Sequence, residues 1–184
     1  MSKYVTKDDL DQLADDMKDE VDCVICSHQT RLVPTVHVLT DDARDDRTDK
    51  RVLLFVPDYT NDHTKAMSMH GIGLTVHAMG RCPLAVGVAT EGWIINADPR
   101  VAELFPKVRP SEHPLREERV IVEVVGLFLK EGCCTEMAPL VRDINKIIQP
   151  LQWEPRVYDS DHSSRVLIAQ VFLGWHDAVK EPSQ

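Results

Sequence analysis

The segment Arg119–Leu129, Arg-Val-Ile-Val-Glu-Val-Val-Gly-Leu-Phe-Leu, restricts the fold more than any other stretch of the 184-residue chain. Its β-branched run reads as a strand, with Val120, Val122, Val124 and Phe128 on one side and Ile121, Val125, Leu127 and Leu129 on the other. Both sides are apolar, which places the strand centrally in a sheet covered above and below. Such a sheet needs a real core. With 43% hydrophobic and 28% charged residues, the chain has the composition to build one.

The elements around that strand follow from periodicity and capping. Thr6 is a helix N-cap, and Leu10, Leu13, Met17 and Val21 recur behind it at spacings of three and four, so an amphipathic helix runs from Lys7 to Cys23. Val33–Thr40 and Arg51–Pro57 read as two strands joined by a polar connection. Asn61 or Asp62 caps a second helix from His63 to Met79, ended by Gly80; Gly71 and Gly73 within it point to close packing on another element. Leu84–Thr90 is a small-residue strand. Four prolines between residues 97 and 118 exclude a long helix there and mark a surface excursion, with one helical turn expected near Val101–Phe105. Beyond the central strand, the apolar positions Leu140, Val141, Ile144, Ile147 and Ile148 suggest a short helix over Ala138–Ile148 stopped by Pro150. The β-branched Arg165–Trp175 suggests a last strand, with Trp153–Tyr158 as its hairpin partner. The order predicts one α+β domain over residues 1–184: a mixed or mainly antiparallel sheet of five to six strands, with helices mainly on one face.

Charge is unevenly placed. Residues 1–22 carry eight acids against Lys3, Lys7 and Lys18, and residues 41–50 carry five aspartates against three bases, so these stretches hold most of the net charge of −9. The rest is nearly neutral and has no basic cluster with interleaved aromatics, which disfavours nucleic-acid binding. The acidic helix (residues 1–24) is either a solvated surface or an imitation of a row of phosphates. No uncharged run is long enough for a membrane span and the amino terminus lacks a signal-peptide core, so a cytoplasmic location is expected. Five cysteines in a reducing compartment should be free thiols.

No P-loop, dinucleotide fingerprint, G-x-S-x-G or H-E-x-x-H occurs, and no cofactor is implied. Cys23-x-x-Cys26 has half of a zinc-site spacing, which Cys133-Cys134 would have to complete. His63, His70 and His77 share a helix face but lie about 10 Å apart in succession, too far for one ion, and suit a groove or symmetric interface. Polar residues inside apolar strands nominate a site: His37, Glu91 and Glu123 as catalytic candidates, with Gln170, Trp93, His70 and His77 as binding candidates. A carboxylate within a doubly covered strand needs a partner. His37 is the candidate partner for Glu123; otherwise Glu123 sits at an open sheet margin beside Arg119 or Arg165.

Val33–Leu129 resembles an uncharacterised group of small bacterial and phage proteins. Thr40-Asp41-Asp42 ending a strand, Val56-Pro57 closing the next, Glu91-Gly92-Trp93 and the valine-rich Val120–Val125 carry that resemblance, which implies shared architecture. The leading functional expectation is a non-catalytic protein acting through a protein partner or self-association. A small-molecule enzyme or metal-assisted hydrolase using His37, Glu91 and Glu123 competes with it, and a small-molecule ligand stays open.

Overall fold

A computed structural model describes residues 5–27, 31–41, 51–55, 61–95, 112–127, 132–159 and 166–180. Helix α1 spans Lys7–Asp22 and continues as one π-helical turn, Cys23–Ser27. Strands β1 (Thr35–Asp41) and β2 (Arg51–Phe55) follow, then α2 (Asp62–Ala78), β3 (Cys82–Ile95), β4 (Arg116–Gly126), β5 (Cys133–Pro139), β6 (Val157–Asp159) and α3 (Val166–Lys180). The strands form one antiparallel sheet in the order β2-β1-β3-β4-β5-β6. The protein is therefore α+β, and β4 is an interior strand as its sequence requires. No helix among the described residues is long and apolar enough to cross a membrane.

Local chemistry explains the helix starts. Thr6 accepts a hydrogen bond from the Asp9 amide at 3.2 Å, while the Asp9 carboxylate accepts one from the Thr6 amide at 2.8 Å. Asn61 and Thr64 repeat this reciprocal cap on α2. Gly80, with φ of 70°, ends α2 in the left-handed conformation that glycine tolerates.

The sheet divides the core in two. On one face, α1 lays Leu10, Leu13, Ala14, Met17 and Val21 over Ala85, Ala89, Val120, Val122, Val124 and Cys134. On the other, α2 and α3 cover Val36, Val38, Val86, Val88, Val125 and Cys133. Two of the three helices among the described residues thus share a face, and they touch by their backbones. A Cβ at Gly73 would lie 2.0 Å from the Val171 carbonyl oxygen, and one at Gly174 would lie 2.0 Å from that of His70. Gly73 is the close-packed glycine expected from the sequence; Gly71 has open space around its Cβ position.

Two expected elements are corrected. Arg165–Trp175 is not a strand: from Val166 it is helix α3, whose Ile168, Val171, Phe172 and Trp175 recur at i, i+3, i+4 and i+7 and pack on the sheet. Packing through Gly174 overrides the β-branched content. Ala138–Ile148 is not a helix: β5 runs into Pro139, and a tight turn follows in which Arg142 bridges Ile148. Trp153–Tyr158 accordingly leads into β6, which pairs with β5 rather than with the carboxyl terminus. Residues 116–118 of the proline-rich excursion belong to β4, and the expected turn at Val101–Phe105 lies outside the described residues.

Candidate functional site

Strand register decides which nominated residues meet. His37 stands opposite Gly87, and Gly87 opposite Val124, on the face covered by α1. Glu91, opposite Val120, is on the same face, where it accepts a 2.7 Å hydrogen bond from the Leu32 amide. Glu123 pairs with Val88 on the opposite face. The sheet therefore separates Glu123 from His37, and the expected pairing between them does not form; Nε2 of buried His37 lies 3.2 Å from a Glu20 carboxylate oxygen on α1. Half-buried Glu123 lines an open trough of about 350 Å³ with Thr135, Met137 and Tyr158. Glu123 stands between Val88 of β3 and Thr135 of β5, within the interior strand β4 rather than at a sheet margin. Arg119 gives its donors to Glu117 and Glu154, and Arg165 lies outside the described residues.

The remaining candidates are dispersed. His70 Nε2 is 3.2 Å from Asp177 on α3, a hydrogen bond that holds the Asp177 carboxyl below the usual range. The His77 ring meets Trp175 edge-on at 6.3 Å. Both histidines thus serve the α2/α3 contact. Trp93 is exposed near the end of β3, and Gln170 is half-buried on α3. Cys133 and Cys134 face opposite sides of β5, so they do not join Cys23 and Cys26 in one cluster. Among the described residues no group of three or more His, Cys, Asp or Glu is placed to hold a metal ion.

The acidic helix is tied to the carboxyl-terminal third by a polar seam. Arg156 lies 2.7 Å from Asp11 and 3.0 Å from buried Glu136, and also pairs with Asp15. Lys18 joins Asp15 at 3.0 Å and Glu136 at 3.1 Å, while Tyr158 donates to Asp11 at 2.6 Å and the Trp153 indole donates to Asp22 at 3.3 Å. Burial alone would raise the Asp11 and Asp15 carboxyls. Hydrogen bonds from Tyr158 and Arg156 to Asp11, and from Lys18 and Arg156 to Asp15, outweigh it and hold both below the usual range. Burial does prevail at Asp22, which is raised despite Trp153. Asp11, Asp15 and Asp22 therefore face partners in this chain rather than forming a free row of phosphate-like charges.

Two surface features remain, and neither was anticipated. The first is a largely apolar cleft of about 360 Å³ between the carboxyl-terminal end of α1 and the start of β1. Met17, Val21, Val24, Leu32 and Val33 line it, with Glu20, His37 and Arg31 as polar members. The Glu91–Leu32 hydrogen bond fixes one wall, and the π-helical turn supplies Cys23 and Val24. The second is the turn after β5. Asp143 Oδ1 accepts from the amides of Asn145 at 2.8 Å and Ile147 at 2.9 Å, and the Asp143 amide donates to the Ile147 carbonyl at 2.9 Å. Lys146 takes a φ of 64°, and Gln149 donates back to Val141 at 2.9 Å. Leu140 and Ile148 anchor this prong in the core, whereas Val141 and Ile147 are about half exposed and Ile144 is 97% exposed.

The signal for the prong was present in Asp143-Ile144-Asn145-Lys146 between Pro139 and Pro150, a sequence suited to an aspartate-capped turn. Glu20 carries no comparable signal among the seven other acids of residues 1–22. No family model, curated protein or solved structure matches the chain.

Proposed function

We propose that this chain is a non-catalytic protein that acts by contacting other protein surfaces, with the Val141–Ile147 prong as its contact element. The observation that carries this reading is Ile144, 97% exposed at the tip of a turn whose backbone is hydrogen-bonded at both ends. A single exposed aliphatic residue is ordinary. Three on one hydrogen-bonded projection are not, because burying such a side chain is worth about 1.5–3 kcal/mol and the preformed turn loses little further backbone entropy on docking. The division of His37 and Glu91 from Glu123 by the sheet supports the absence of catalysis by that trio, since one small substrate could not touch all three.

The test places a photoreactive phenylalanine analogue at position 144 of the full chain and, as a control, at exposed Gln12 on α1. Irradiation in producing cells should give a discrete protein adduct from position 144 only. Absence of an adduct, or the same adducts from both positions, refutes the reading.

A further inference from the structure

The prong and the apolar cleft are complementary, and we infer that the partner is a second copy of this chain, the Ile144 tip of each copy entering the cleft of the other. This inference rests on the protein-contact reading and supplies its partner. Shape is the first argument. The cleft of about 360 Å³ is walled by Met17, Val21, Val24, Leu32 and Val33, and Val33 is itself 57% exposed. It takes the Ile144 side chain together with an aliphatic neighbour from the prong. Filling the cleft in this way removes two exposed apolar surfaces from water at once, whereas either alone leaves the other wet.

Charge is the second argument. Asp143 and Lys146 lie within two residues of Ile144, and Arg31 and Glu20, the latter also 3.2 Å from His37, are among the residues lining the cleft, so each surface carries one acid and one base that can pair with their opposites on the other. Among the described residues neither Arg31 nor Lys146 has a carboxylate within ion-pair distance in its own chain. These rim charges fix orientation more than affinity, while the buried isoleucine carries the energy.

Position is the third. The π-helical turn touches both features: Cys23 and Val24 line the cleft, and the Cys26 thiol donates to the Gln149 carbonyl at the base of the prong, 3.9 Å away. A donor and an acceptor surface this close on one molecule allow two copies to exchange prongs about a twofold axis, which closes the assembly as a dimer. Surfaces on opposite sides of the molecule would instead favour head-to-tail assembly.

Sedimentation of the purified full chain tests this. The wild type should form a dimer whose population rises with concentration. Ile144→Asp and Val33→Lys should each reduce the association constant by about 30-fold or more, as expected when a central anchor is lost. Both altered residues are exposed in the single chain, so unchanged melting of each variant confirms that folding is intact. Mixing the two variants should restore dimers, because one native contact re-forms and the introduced acid of the other contact faces the introduced base. A monomeric wild type, a dimer indifferent to Ile144→Asp, or a mixture that stays monomeric overturns the inference. If the wild type is monomeric and the position-144 adduct contains a different protein, self-association falls while the protein-contact reading stands. If no adduct forms, both fall.

Discussion

Replacing Gly73 by alanine tests the backbone contact that joins α2 to α3. In an unencumbered helix the change stabilises by up to about 1 kcal/mol, because glycine loses more chain entropy on folding. At Gly73 the added Cβ would sit 2.0 Å from the Val171 carbonyl oxygen and 2.6 Å from the Trp175 amide nitrogen, whereas real contacts essentially never fall under 3.0 Å. Both neighbours are backbone, so no side-chain rotation relieves the overlap, and the helices must part by about 1 Å in an interior packed like a crystal. Overpacking of this kind costs about 1–3 kcal/mol, and with two backbone clashes the upper end applies. After the helix gain is subtracted, Gly73→Ala should lose about 2 kcal/mol, lowering a urea midpoint by about 1 M. Gly71→Ala, two residues away with nothing within 4 Å of its Cβ, should gain up to about 1 kcal/mol. Urea unfolding of both variants provides the comparison. Equal stabilities would refute the close approach of α2 and α3.

The other predictions concern the polar seam, the cleft wall and the thiols. Arg156→Ala leaves buried Glu136 with Lys18, 3.1 Å away, as its cationic partner and should cost about 2–4 kcal/mol by urea unfolding, less than a fully buried pair because Asp11 and Asp15 are partly exposed. Because the folded Asp11 and Asp15 carboxyls lie below their unfolded values, their stabilisation is complete above about pH 4 and is lost as pH falls through the lower folded values. Asp22, raised by burial, opposes them in part, since its contribution is present at low pH and is lost as pH rises. Stability measured against pH should therefore fall on the acid side, and Arg156→Ala should flatten that fall; an identical acid limb would contradict the seam. Glu91→Ala removes the acceptor of the Leu32 amide and should cost about 1–2 kcal/mol, with Glu91→Gln costing less; equal melting of all three proteins would contradict that hydrogen bond. Burial pushes the Cys134 thiol up to about 11. In the native protein, mass-mapped alkylation should thus label exposed Cys23 well before Cys134, and the reverse order would overturn the placement of β5.

What could be read in the chain, and what could not, follows from the range of each signal. Local signals located α1 and α2, because Thr6 and Asn61 cap them through residues only three positions away. The valine run showed β4 to be interior. The carboxyl-terminal third is ambiguous in sequence because its two patterns mimic each other: Ile168, Val171, Phe172 and Trp175 keep helical spacing within β-branched residues, while Leu140, Val141, Ile144, Ile147 and Ile148 keep it within a turn. There Asp143 competes for the backbone amides that a helix would use. The absence of the His37–Glu123 pairing has a different reason. Which face His37 and Glu123 share depends on strand register, and a shift of one residue reverses it. No residue in either strand reports that register by itself. Gly73 announced a close contact, yet its partner Gly174 lies a hundred residues away and became visible only once α3 was seen as a helix.

The most direct test of Ile144 as a contact residue is methyl NMR of isotope-labelled protein across a concentration series. The Ile144 and Val33 methyl resonances should shift together with one midpoint while that of Ile168, buried on the inner side of α3, stays in place. An Ile144 methyl that keeps a single unshifted, narrow line while the protein associates would contradict the account.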